Sequence, residues 1–424
     1  MLTGLFGALK LSGSSENAYV MRAILRVAVV GGDAMGPYVT TCVDELKGHL
    51  TRVCKNPSNP SFNHYMFEAI AALVRSLCAS SAQAVDAFEA MLFPPFQYVL
   101  QSDVTEFTPY VFQILAQLLE CRSSLSPAYL SLFAPILAPT MWERPANTPA
   151  LVRLVCAYVA KGKETVGPQL EKVLGVFQKL LSSKATDGSA CTLLSSIWRA
   201  FELSELAALA TPIFTLCLTR LQSNKKVGAP LIACWSTYIA RYGPAAFRSQ
   251  LEAIQPGLFA MIVRGVWCEA LAAVSGAVGR KSALVGSVRL LTECPEVVAD
   301  QQTFGTLLQA TLLMTLVEQG MPASNSATAA AAAAEEAQDS AELEGGSTAG
   351  GVGYVAAYAA LSFASPAEET DFYPGESGSA YVLKALRGLH AQSNGLLQSI
   401  MGPMIAAMPA DKQQGVQALL QGVC

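Results

Sequence analysis

Lys55 to Cys78 reads K-N-P-S-N-P-S-F-N-H-Y-M-F-E-A-I-A-A-L-V-R-S-L-C. Pro57 and Pro60 fix their own φ and push the residues before them out of the helical region, so the stretch opens as a turn. Ser61 is a candidate N-cap, its side-chain oxygen free to accept a helical N–H. Beyond it Phe62, Tyr65, Met66, Ile70, Leu73 and Leu77 fall on one face of a 3.6-residue period. A turn leading into an amphipathic helix, with helical patterns before and after, is the unit that recurs along the chain.

Working outward, Ser14-Ser15-Glu16-Asn17 caps a helix that Gly31-Gly32 ends, and Pro37 opens its partner. The pair 61–79 and 84–101 follows, with Pro94-Pro95 expected to kink or split the second member. Then come 104–120 with 126–142, 149–159 with 168–181, and 188–201 with 205–221. The pairs 229–242 with 247–274 and 281–294 with 301–318 complete the run. Leu170, Val173, Leu174, Phe177, Leu180 and Leu181 make its cleanest apolar stripe. Alternating apolar runs bounded by hairpin signals do not compete with this pattern. Successive pairs open about every 35 to 45 residues, and a lone pair cannot bury its apolar face, so stacked pairs are expected: an all-α, HEAT-type α-solenoid. A compact helical bundle is the rival, but it would not need so regular a period. The organisation expected is a solenoid over 1–319, an insertion over 320–353 and terminal capping helices over 354–424, with helical patterns at 354–363, 380–390, 396–408 and 412–420. Ala329–Ala334 is a poly-alanine run, and Gly345-Gly346 and Gly350-Gly351 predict flexibility in the insertion.

The 424 residues are 52% hydrophobic and 14% charged, ample material for a core. Soluble domains average about 25% charged, so charge placement says more than its total. The net charge of −4 is unevenly spread. From Leu290 to Leu383 there is no Lys or Arg, and there are thirteen Asp or Glu. An acidic stretch beside a mildly basic body points to protein partners and away from nucleic acid, which asks for a dense basic stripe. The eleven cysteines are scattered over apolar faces without C-x-x-C spacing, which reads as buried free thiols in a reducing compartment. No signal peptide and no uncharged apolar run of about 18–20 residues is evident, so a soluble intracellular protein without membrane insertion is expected.

Chemistry is thinly represented. Val27–Gly36 departs from the dinucleotide fingerprint at Asp33 and lies in a helical pattern, and Ala160–Glu164 lacks the first Gly and the Ser/Thr of a phosphate loop. His49, His64 and His390 each stand without a Cys or carboxylate at metal or triad spacing. No catalytic residue, metal ligand or cofactor is expected. Two turns are candidates for partner binding. Lys55, Asn59, Asn63 and His64 offer polar side chains together, and Trp142, Glu143 and Arg144 combine types that interfaces enrich. The plainer reading packs Trp142 between repeats and pairs Glu143 with Arg144.

Several runs resemble the importin-alpha re-exporters, the CAS or exportin-two family of the importin-beta superfamily. They are S-S-E-N-A-Y-V-M-R-A-I-L-R (14–26), K-N-P-S-N-P-S-F-N-H-Y-M-F-E-A-I (55–70), F-T-P-Y-V-F-Q-I-L-A-Q-L-L-E (107–120), M-W-E-R-P-A-N-T-P-A-L-V-R-L (141–154), L-G-V-F-Q-K-L-L-S-S-K-A (174–185) and L-L-T-E-C-P (290–295). The acidic insert followed by G-Y-V-A-A-Y-A-A-L-S-F-A (353–364) continues the likeness. The resemblance implies a non-enzymatic nuclear export receptor that carries importin-alpha to the cytoplasm with Ran-GTP. It also implies contacts with nuclear pore proteins and shuttling between nucleus and cytoplasm through the nuclear envelope. The match begins at the middle of the family's receptors, so the chain is expected to be their carboxy-terminal part. A generic α-solenoid scaffold is the alternative, and an α-helical enzyme a third reading.

Overall fold

The computed structural model describes residues 1–79, 81–320, 360–365, 375–392, 396–408 and 410–421. Among the described residues the regular structure is helical, with no strand. The chain forms two compact units, Met1–Val173 with Asn325–Glu368, and Leu174–Ser324 with Glu369–Cys424.

The first unit contains α1 (Leu2–Ala8), α2 (Ala18–Gly31), α3 (Val39–Val53), α4 (Pro60–Cys78), α5 (Ala82–Gln101), α6 (Thr108–Glu120), α7 (Pro127–Ile136), α8 (Thr148–Lys161) and α9 (Lys163–Val166). Alternate helices pack side by side: α2 on α4, α4 on α6 and α6 on α8 make one layer, and α3 on α5 belongs to the other. That alternation is what stacked helix pairs produce. α6 lies deepest, with every residue from Thr108 to Leu119 buried. Hydroxyls tie neighbouring pairs together: Tyr129 donates to the Leu115 carbonyl at 2.7 Å, and Tyr158 to the Tyr129 carbonyl at 2.8 Å.

Local departures from the sequence expectations have physical causes. The cap of α4 is Asn59, not Ser61: Asn59 is extended, and its Oδ1 accepts the Phe62 N–H at 3.1 Å. Pro60 then takes the first helical position, where its missing N–H costs nothing. α5 runs unsplit from Ala82 to Gln101 through Pro94 and Pro95. Its buried Val85, Phe88, Leu92, Phe96 and Val99 are each worth about 1.5–3 kcal/mol, enough to offset two interior prolines at about 3 kcal/mol each. The pattern at 126–142 divides, because α7 ends at Ile136 and Pro139–Trp142 forms a separate 3₁₀ turn.

α10 (Leu170–Leu181) carries the division between the units. The second unit continues with α11 (Asp187–Ala200), α12 (Ala207–Ser223), α13 (Gly228–Tyr242), α14 (Pro244–Ile254), α15 (Leu258–Met261), α16 (Cys268–Leu271), α17 (Ala277–Glu293), α18 (Pro295–Ala299) and α19 (Gln301–Gln319). It closes with α20 (Gly378–Gln392), α21 (Leu396–Ala406) and α22 (Ala410–Leu420). Here α11, α13, α17 and α20 pack in succession, while α12 packs on α14 and α16 on α19. The single helix expected over 247–274 is interrupted by Gly257 at φ 81° and by a π turn at Ile262–Trp267.

The repeat also shows in ion pairs that join one helix pair to the next. In the first unit Asp86 meets Arg122, Asp103 meets Arg144 and Glu120 meets Arg153, at separations of 36, 41 and 33 residues. In the second, Asp187 meets Arg220, Glu202 meets Arg241 and Arg264 meets Asp300, at 33, 39 and 36. Of the ten described cysteines, all free, seven are buried, and burial raises Cys54 and Cys78 to about 12. No described helix is long and apolar enough to cross a membrane.

Candidate functional site

Within the first unit, α4 and α6 bury Glu68, Gln113 and Gln117 where they pack together, with the half-buried Arg75 at the edge of the same patch. Glu68 and Arg75 lie seven residues apart on α4, and Gln113 and Gln117 lie four apart on α6, spacings that keep each pair on one helical face. Between them sits the segment Leu361–Ser365, with Leu361, Phe363 and Ala364 buried. Its backbone is read almost atom by atom. Gln113 Oε1 accepts the Leu361 N–H at 2.8 Å. Glu68 accepts the next two, Ser362 at 2.7 Å on Oε1 and Phe363 at 3.0 Å on Oε2. In return Gln117 Nε2 donates to the Phe363 carbonyl at 2.9 Å, and Arg75 to the Ser365 carbonyl at 3.1 Å.

The two glutamines are held independently of the segment. Gln113 Nε2 also donates to the Pro109 carbonyl at 3.1 Å, and Gln117 Nε2 to the Ala71 carbonyl at 3.1 Å. Glu68 is only 4% exposed. A carboxyl so placed needs donors, and two consecutive amides supply them as charge-assisted bonds. The helical pattern expected over 354–363 fails at its described end for the same reason. Residues 354–359 lie outside the described residues, and Leu361–Ser365 is a turn, because its N–H groups go to α4 and α6 side chains.

His64, one turn before Glu68, borders the site. Its Nδ1 lies 3.2 Å from the Tyr110 hydroxyl and its Nε2 3.7 Å from Glu68 Oε1. Burial lowers its pKa to about 4, so the imidazole is neutral at pH 7. The i,i+4 spacing from His64 to Glu68 was legible in the sequence as a carboxylate partner for this histidine, contrary to the reading that it stands alone.

The other candidates scatter by role. Lys55 is exposed. Asn59 caps α4 and also donates from Nδ2 to the Glu16 carbonyl at 2.8 Å. Asn63 is fully buried. Trp142 is buried, with Nε1 donating to the Ile136 carbonyl at 2.9 Å. Glu143 is exposed, and Arg144 makes a two-pronged pair with Asp103 at 2.6 and 2.7 Å, so the expected Glu143–Arg144 pairing is replaced. That bond holds Asp103 below and Arg144 above their ordinary pKa values. Sequence reading missed Glu68, Gln113 and Gln117. The available signal was a carboxylate and two amides inside the apolar runs 65–74 and 110–119. No group of three His, Cys, Asp or Glu among the described residues is arranged to hold a metal ion.

Comparison with known proteins gives a consistent result. The family model "CAS/CSE protein, C-terminus" matches residues 1–418. Exportin-2 of Danio rerio is 35% identical over 430 residues, covering 99% of this chain and 42% of that protein. Exportin-2 of Homo sapiens is 40% identical over 324 residues, covering 75% of this chain and 33% of that protein. The chain thus spans less than half the length of these relatives. The solved structure of "the exportin Cse1 in its cargo-free, cytoplasmic state" superposes with a TM-score of 0.78 at 24% identity, over 99% of this chain and 42% of that one.

Proposed function

The chain belongs to the CAS/CSE family, and from that membership we propose that it is the carboxy-terminal part of a nuclear export receptor that returns importin-alpha to the cytoplasm with Ran-GTP. The observation that carries this reading is the family model's run over residues 1–418, nearly the whole chain. The fold suits the task. Stacked helix pairs contact mainly their neighbours, so small changes at each interface let the array wrap a partner. Two partners held by one such array bias each other's affinity equally and reciprocally. Nuclear pore proteins are further proposed partners, and shuttling between nucleus and cytoplasm by way of the nuclear envelope the proposed localisation. Of the seven candidate residues we propose Lys55 and Glu143 as partner contacts, since both side chains are exposed.

The test is a pull-down of importin-alpha with and without Ran-GTP, using this chain and a fusion carrying the amino-terminal repeats of the Danio rerio relative. Capture by the fusion only with Ran-GTP supports the reading. Capture by neither under any nucleotide condition overturns it. The reading is of a binding protein and not an enzyme, and hydrolase or transferase turnover by the purified chain would overturn that part.

A further inference from the structure

Leu361–Ser365 sits on α4 and α6 as a bound peptide sits on a receptor. Three successive N–H groups and two carbonyls are satisfied by side chains of α4 and α6, and two apolar side chains one residue apart, Leu361 and Phe363, are buried. The receptor helices are complete without it, because α4 and α6 pack on each other directly. The glutamines keep their bonds to Pro109 and Ala71 whether or not the segment is present. An empty groove would present Glu68, Gln113 and Gln117, all of which water can satisfy, so vacating it strands no polar atom. The segment itself comes from 246 to 295 residues away in sequence, and residues 320–360 separate it from α19.

We propose that the α4–α6 groove is a peptide-docking site, that Leu361–Ser365 is its internal occupant, and that an uncharged peptide of the pattern Leu-x-Phe-small exchanges with it in trans. Glu68 selects two consecutive free amides, which excludes proline at the second and third positions of the motif. Gln117 selects the carbonyl that follows. Burial of the first and third side chains sets the apolar pattern. Tethering gives the internal occupant an effective concentration on the order of millimolar, so it competes strongly with any peptide in solution. The inference stands whether or not importin-alpha is the cargo.

The test uses the whole chain and a variant in which 321–376 is replaced by a Gly/Ser linker between α19 and α20. The probe is a fluorescein-labelled peptide of residues 354–367, Y-V-A-A-Y-A-A-L-S-F-A-S-P-A. Fluorescence anisotropy should show saturable binding to the linker variant. That binding should weaken at least about tenfold when the variant also carries E68A, or when the probe carries F363A, since each removes a buried anchor. The intact chain should bind the probe about tenfold or more weakly than the linker variant, because its own segment occupies the site. A linker variant that keeps its helical circular dichroism but does not bind overturns the proposal. So does binding that is indifferent to E68A, or equal in the two chains. If the linker variant does not fold, the intact chain carrying L361A and F363A decides. Tighter probe binding than the unchanged chain supports the proposal, and unchanged binding overturns it.

Discussion

His64 shows how much of this protein's chemistry is set by what surrounds a residue. The imidazole is half-buried beside Tyr110, and desolvation lowers its pKa to about 4 from an ordinary 6.5. Folding therefore lowers its proton affinity, and the unfolded chain binds the proton more readily between pH 6.5 and 4. Stability should fall as pH drops through that window, by at most about 1.4 kcal/mol per pH unit and about 3 kcal/mol in all from this group. NMR titration of the His64 ring should return a value near 4, and H64Q should flatten the acid limb of a denaturant-midpoint series. Asn59 makes a second case. Its Oδ1 caps α4 and its Nδ2 reaches the Glu16 carbonyl, so N59A should cost about 1 to 2 kcal/mol and speed hydrogen exchange at the Phe62 amide. The sequence expected a turn over 55–64 and a cap at Ser61, but the turn ends at Asn59, and Asn63 and His64 lie in the first turns of α4. Ser and Asn cap equally well, and only the backbone at Asn59, extended ahead of Pro60, decides between them.

At the scale of elements, α13 and α17 approach closely where Gly286 faces Ser236. A Cβ on Gly286 would fall 2.4 Å from Ser236 Oγ and 2.8 Å from the Ser236 Cα, so backbone as well as side chain would have to shift. G286A should destabilise the α13–α17 contact by about 1–3 kcal/mol, read as a lower urea midpoint. S236G should recover part of the loss by removing the Oγ and Cβ contacts but not the Cα one. Helix existence was legible nearly everywhere, because apolar spacing of 3.6 residues is a local signal. The breaks were less so. Pro94-Pro95 was expected to kink or split its helix, yet α5 runs unsplit through it, while the break inside 247–274 falls where Gly257, in the left-handed region, precedes α15. The α4–α6 groove was illegible as a site because its ligand lies about 250 residues downstream, beyond any periodicity. Its separate parts were visible, as Glu and Gln inside apolar runs.

At the scale of the molecule, charge is segregated. The stretch from Leu290 to Leu383, with thirteen acidic residues and no basic one, gives partners with basic surfaces a long-range attraction. Deleting 323–350 should slow association with importin-alpha, the partner proposed above, at low salt and change it little at about 0.5 M salt, where screening acts within a few ångströms. Stopped-flow rates at the two ionic strengths check this, and an equal rate at low salt removes the role. The bonds between Glu68 and the amides of Ser362 and Phe363 span 294 and 295 residues, and that distance has a meaning in time. On a ribosome adding about 5–20 residues per second, α4 and α6 emerge roughly ten to fifty seconds before the segment that covers them. For those seconds every new copy of the chain carries the groove uncovered, which is when a chaperone or a stray peptide could occupy it most easily.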